Sequence, residues 1–154
     1  MKLENCFLDQ NVAVKVADFG LMKVFAGAEA GPLMTKCGTT NYMGPELHSG
    51  EVYDGEKSDI FAMGVMLFMM LTSMEPFHEA TDKDKWWLRL NADAVKTLEG
   101  RKINIPDSAL DLIMGMLKKE PTERIDINGI LAHSWFQGDM ATQNELADFY
   151  MQIF

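Results

Sequence analysis

Twelve consecutive apolar residues, Ile60 to Leu71, constrain this chain more than any other stretch of it. The run is too short for a membrane span, which needs about 20 residues, and too long for an ordinary strand. A helix that is apolar all round belongs inside a protein, so the run reads as a buried central helix. Ser58-Asp59 stands directly before it and is expected to be its cap. Residues 83–99 set Trp86, Trp87, Leu90, Val95 and Leu98 among charges, which predicts further helical segments. Asp107-Ser108 is expected to cap a helix whose Leu110, Ile113, Met114 and Leu117 keep the 3.6-residue period. Asp126–Ala132 and Glu145–Ile153 read as two more.

Ahead of the central helix the pattern changes. Cys6-Phe7-Leu8 and Val12–Ala17 are short apolar stretches around Asp9-Gln10-Asn11, the pattern of a β-hairpin with a polar turn. Residues 18–46 are rich in Gly, Ala and Thr and have no sustained period, so they read as a long loop of the kind that usually carries function. The order is one hairpin, one long loop, then helices: a mainly α fold with a small β-hairpin. A length of 154 residues, 47% apolar and 24% charged, suits one globular domain.

A net charge of −9 argues against the chain gripping nucleic acid or an anionic membrane, and it is compatible with basic peptide partners. Cys6 and Cys37 make neither a disulfide framework nor a metal-ligand spacing, so reduced thiols and an intracellular setting, cytoplasmic or nuclear, are the simpler reading. Glu4 and Asn5 follow Met1-Lys2 too soon for a signal peptide. His48, His78 and His133 are scattered and are read as surface or satisfied helix residues.

Asp18-Phe19-Gly20 falls at the end of the second strand and Asn5 at the start of the first. With the turn centred near Asn11, antiparallel pairing puts Asn5 and Asp18 side by side. A carboxylate and an amide oxygen held together suit a hard cation such as Mg²⁺.

Around that pair, ordered motifs span residues 1–136. Lys2-Leu3-Glu4-Asn5 resembles the tail of the protein-kinase catalytic loop, His-Arg-Asp-Leu-Lys-x-x-Asn, and the 13-residue step from Asn5 to Asp18 fits the same family. Cys37-Gly38-Thr39-Thr40-Asn41-Tyr42-Met43-Gly44-Pro45-Glu46 resembles the end of the activation segment, Gly-Thr-x-x-Tyr-x-x-Pro-Glu. Asp59-Ile60-Phe61-Ala62-Met63-Gly64 resembles the central-helix signature, with Pro76-Phe77 following. Glu120-Pro121-Thr122-Glu123-Arg124 is similar to the late Asp-Pro-x-x-Arg element, and His133-Ser134-Trp135-Phe136 to the closing His-x-Trp-Phe. The chain thus resembles the C-terminal lobe of a eukaryotic Ser/Thr protein kinase. Tyr53-Asp54-Gly55 and Gly64–Phe68 lend a calcium/calmodulin-dependent-kinase flavour. The resemblance implies a kinase large lobe over residues 1–136 without the N-terminal lobe, an activation segment over 18–46, and a C-terminal helix or the start of a tail over 137–154.

It also implies roles. Asp18 would hold Mg²⁺ bridging the phosphates of ATP, Asn5 would hold the second metal, and Lys2 would contact the γ-phosphate. Thr39 would line the pocket beside the accepting hydroxyl. Thr35 matches the activation-loop phosphorylation site, with Lys23 helping to receive the phosphate. Glu46 and Arg124 match an internal ion pair, and Asp59 matches a helix-start carboxylate that accepts catalytic-loop amides. Glu4 stands where basic-directed members read an Arg upstream of the target hydroxyl. The 154 residues contain no Gly-rich phosphate loop, no strand Lys for the α/β-phosphates, no adenine hinge and no His-Arg-Asp base. The isolated polypeptide is therefore expected to be inactive and to need the missing N-lobe or another kinase chain. Its expected activity in the whole enzyme is transfer of the ATP γ-phosphate to Ser/Thr of a protein or peptide, with no nucleic-acid or membrane partner. The alternative is a non-catalytic, kinase-derived interaction module.

Overall fold

The computed structural model describes residues 1–23 and 33–153, so the middle of the expected activation segment, residues 24–32, lies outside the described residues. Strands β1 (Cys6–Leu8) and β2 (Val14–Val16) pair antiparallel, with Cys6 opposite Val16, Phe7 opposite Lys15 and Leu8 opposite Val14. Asp9 closes the turn. Its N–H donates to Ala13 O at 3.0 Å, and its Oδ1 accepts from the N–H of Asn11 and Ala13 at 2.9 and 3.0 Å. This Asx geometry draws Val12 into the left-handed region, φ 61°, which a β-branched residue rarely adopts. The second strand accordingly begins at Val14 rather than at Val12.

Seven helices follow among the described residues: α1 (Pro45–Ser49), α2 (Gly55–Thr72), α3 (Lys85–Ala92), α4 (Ala94–Arg101), α5 (Asp107–Met116), α6 (Ile127–Ala132) and α7 (Gln143–Ile153). The central helix α2 starts earlier than Ser58-Asp59 suggests. Asp54 is its cap, accepting from the N–H of Glu56 and Lys57 at 2.9 and 3.4 Å, and Ser58 and Asp59 lie inside its first turns. A carboxylate that satisfies the leading amides starts a helix wherever the next residues tolerate it, and Gly-Glu-Lys do. The helix α5 likewise begins at Asp107 itself, after Pro106, with no side-chain cap. Asp107 then supports the helix as a charge in its first turn. Asp126 does cap α6, accepting from Gly129 N–H at 2.7 Å.

The apolar run is buried as its composition requires. Phe61, Val65 and Phe68 of α2 are fully enclosed, and the rings of Phe61, Phe77 and Trp87 meet with centroids 5.0–6.0 Å apart. On another side, α2 packs on α5, and Ala62, Val65 and Ile113 share one buried cluster with Leu117 just past the end of α5. Gly64 permits the close approach: a Cβ there would stand 2.8 Å from Met116 Cβ and 3.0 Å from Leu117 Cδ2. No helix among the described residues is long and apolar enough to cross a membrane. The last helix returns to the hairpin, where Gln143 Nε2 donates to Asn11 O at 2.9 Å.

Candidate active site

A cleft of about 320 Å³ opens where the hairpin strands begin and end. Lys2, Asn5, Asp18, Lys23, Thr39 and Asp59 all line it. The strand register puts Asn5 opposite Ala17, not Asp18: Ala17 N–H donates to Asn5 O at 2.9 Å. Asp18 lies one residue beyond and would face away on a regular strand. It instead takes a left-handed conformation, φ 61°, which aspartate tolerates. That twist returns its side chain to Asn5, whose Nδ2 donates to Asp18 Oδ2 at 3.4 Å. Gly20 N–H donates to Asp18 Oδ1, also at 3.4 Å. The pair meets by backbone conformation rather than by strand pairing, which corrects the expected register.

This donor set fits a magnesium ion. The amide leaves its oxygen for a cation, the carboxylate is exposed and bound only by long hydrogen bonds, and both ligands are hard oxygens. Magnesium usually keeps several waters and takes one or two protein ligands plus phosphate oxygens, so two groups suffice. Among the described residues no cluster of three His, Cys, Asp or Glu side chains offers another metal site.

The side of the cleft facing this pair is approached by a 3₁₀ turn, Thr40–Tyr42. Thr39 precedes it, exposed at the cleft. Tyr42 is buried and ties two remote segments together. Its hydroxyl donates to Glu4 Oε2 at 3.0 Å and accepts from Leu3 N–H at 3.4 Å. Burial pushes the Tyr42 hydroxyl above its ordinary pKa, and the Glu4 and Glu75 carboxylates add to the effect. Glu4 is thus exposed on one side and anchored by Tyr42 on the other. The motif around Tyr42 gives no sign of this role. The 38-residue separation from Glu4 hid the contact.

Asp59 Oδ1 accepts a hydrogen bond from the main-chain nitrogen of Met1 at 3.3 Å. Of the amides that follow, Leu3 N–H donates to the Tyr42 hydroxyl and Asn5 N–H to Lys2 O at 3.2 Å. Thr35 is exposed, and its carbonyl accepts from the Tyr53 hydroxyl at 3.0 Å. The flanking segment is pinned by an antiparallel bridge between Leu33 and Tyr53. Lys23 lines the cleft and makes no ion pair with another described residue.

Beneath the turn, Arg124 and Glu46 form a buried bidentate pair. Arg124 Nη1 and Nη2 donate to Glu46 Oε1 and Oε2 at 2.7 and 2.6 Å. Nε and Nη1 also donate to Lys118 O and Lys57 O, both at 2.9 Å, and the guanidinium lies 4.8 Å from the Phe61 ring centroid. The α1 helix is thereby fixed to α2 and to the segment before α6.

Of the histidines, His133 is satisfied: its Nδ1 accepts from Trp135 N–H at 3.2 Å and its Nε2 stands 3.3 Å from Asp111. His48 is not fully satisfied: among the described residues its buried Nε2 meets no hydrogen-bond partner.

Residues 1–136 match the protein kinase domain family. The chain is 35% identical over 146 residues to the protein kinase domain-containing protein ppk9 of Schizosaccharomyces pombe, covering 95% of this chain and 26% of that protein. It is 37% identical over 150 residues to CBL-interacting serine/threonine-protein kinase 17 of Arabidopsis thaliana, covering 94% of this chain and 32% of the relative. It is 35% identical over 157 residues to serine/threonine-protein kinase SIK2 of Gallus gallus, covering 99% and 18%. The chain spans less than a third of the length of each of these three relatives.

Proposed function

The chain belongs to the protein kinase domain family, and from that premise we propose that it forms the phosphate- and substrate-facing half of a Ser/Thr protein kinase site. The observation that carries this is the Asn5–Asp18 pair at 3.4 Å in one cleft with Lys2 and Thr39. Asp18 and Asn5 would hold Mg²⁺ on the phosphates of ATP, and the chemistry so supplied is neutralisation of phosphoryl charge. The Lys2 ammonium donates to γ-phosphate oxygens. Thr39 orients the accepting hydroxyl at the cleft edge. Tyr42 keeps the loop that carries Asn5 in register with the turn that carries Thr39, so phosphate and acceptor meet in fixed geometry. Thr35, exposed beside the cleft, is the proposed phosphorylation site, with Lys23 available to the phosphate. Glu4 reads a basic residue of the substrate.

A second surface supports a partner over the hairpin. Phe7, Leu8, Val14 and Phe19 are each more than half exposed, at 56%, 53%, 66% and 60%. Such apolar exposure suits a covering domain, the N-lobe or another kinase chain. The polypeptide of these 154 residues is proposed to be inactive alone, because none of them supplies a hydroxyl base or a phosphate-covering loop.

The test joins residues 1–154 in one polypeptide to the upstream half-domain of the Arabidopsis relative. Mg·ATP-dependent labelling of Ser/Thr peptides is expected, falling at least about 100-fold in Asp18→Ala. Labelling that survives Asp18→Ala, or that residues 1–154 sustain alone, would overturn the assignment. A folded chimera with no activity would favour the interaction-module reading.

A further inference from the structure

On the helical side of the molecule, α3 and α4 meet at a second notch of about 310 Å³, lined by Trp86, Arg89, Asp93, Lys96 and Thr97. It shares no residue with the catalytic cleft. Trp86 is half-buried and carries cations on its ring: Lys85 Nζ, Arg89 Cζ and Arg101 Cζ stand 5.3, 5.2 and 5.0 Å from the centroid. Two of the neighbouring cations are engaged by oxygen. Arg101 donates to Pro76 O and Glu75 O at 3.1 and 2.8 Å, and Lys96 pairs with Asp93 at 3.2 Å. Arg89 differs. It is exposed, and among the described residues its guanidinium has ring contact but no oxygen acceptor. The field around it is also unusual for this chain. Residues 83–102 carry six Lys/Arg against three Asp/Glu, within a protein of net charge −9. A positive corner on an acidic molecule draws anionic groups and repels further copies of the acidic surface.

We propose that the α3–α4 notch docks an acidic segment of a partner protein. A carboxylate takes the open fork of Arg89, a geometry in which arginine binds carboxylates bidentately. An adjacent apolar side chain of the same segment seats against the Trp86 ring in the notch. The protein's net charge of −9 opposes the approach of a long, densely charged polyanion, whereas a short segment can reach this corner alone. The segment is therefore short and acidic with apolar residues between its carboxylates, and nucleic acid is disfavoured. This site does not depend on the kinase reading of the cleft.

The probe is a fluorescein-labelled peptide, Glu-Glu-Leu-Phe-Glu-Glu, titrated with the full chain and read by anisotropy. Saturable binding is expected, unchanged in Asp18→Ala and weakened at least about tenfold in Arg89→Glu. Arg89→Lys, which keeps the charge and removes the fork, is expected to fall between. Lys96→Glu is the second variant, and both positions are exposed, so thermal melting should match the parent. The control peptide Glu-Glu-Gly-Gly-Glu-Glu should bind several-fold more weakly. Equal binding of the two peptides, full binding by Arg89→Glu, absence of saturable binding, or a single-stranded oligonucleotide that binds more tightly than the peptide would each overturn the proposal.

Discussion

Replacing Arg124 with methionine tests the long-range tie that holds α1 in place. Arg124 is 3% exposed, and the Glu46 side chain is 8% exposed. Methionine fills much of the same volume and leaves the Glu46 carboxylate buried without a counter-charge. It also strips donors from Lys118 O and Lys57 O. Removing one member of a buried pair costs about 3–5 kcal/mol, a large share of the roughly 5–15 kcal/mol that stabilises a domain. Glu46→Gln keeps the shape and one acceptor and should cost less, about 1–3 kcal/mol. With both changes no buried charge remains, so the double variant should recover at least about 1.5 kcal/mol relative to the sum of the singles. Urea unfolding followed by tryptophan emission reads all three, since Trp87 is buried in the core beside Phe61. Hydrogen exchange should also quicken at residues 40–47, because α1 loses its anchor. A loss below about 1 kcal/mol in Arg124→Met, or a coupling within about 0.5 kcal/mol of zero, would refute the reasoning.

Gly64→Ala should destabilise by about 1–3 kcal/mol although alanine favours helix, because the new methyl meets Met116 and Leu117 on a rigid partner helix; a raised melting temperature would contradict this. Asp84 should matter more than an ordinary cap. Burial pushes its carboxyl pKa up, but the N–H groups of Trp87, His78, Glu79 and Trp86 together outweigh that and hold it below 3.8. The unfolded chain then binds the proton more readily, so the stability Asp84 gives is present above pH 3.8 and lost as pH falls through its folded pKa. Asp84→Ala should cost about 1–3 kcal/mol at neutral pH and flatten the acid limb of the unfolding profile. Burial, with the Lys36 charge adding, holds His48 below 6.5 in the folded state, so stability should fall as pH drops from 6.5 through its folded pKa. His48→Leu should remove that dependence and be neutral or stabilising, and a large loss at pH 8 would show that the buried Nε2 has an essential partner.

Short-range physics made part of this protein legible from its residues alone. An unbroken apolar run had to become the buried helix, the 3.6-residue period marked α5, and a turn of fixed length brought Asn5 and Asp18 to the same end of one hairpin. Each depends on residues within a few turns of one another. Even so, the detail of the hairpin lay beyond the pattern, because Asp9 captured Val12 for the turn and a left-handed Asp18 restored a contact that the register alone would not make. Which distant groups meet emerged with the packed fold. The Tyr42–Glu4 bond, the burial of the His48 Nε2, the stacking of Arg89 on Trp86 and the geometry that lets Arg124 grip Glu46 across 78 residues all follow from how helices pack. Side-chain partners that far apart are chosen by volume and burial, which no local pattern of hydrogen bonding or hydrophobic period encodes.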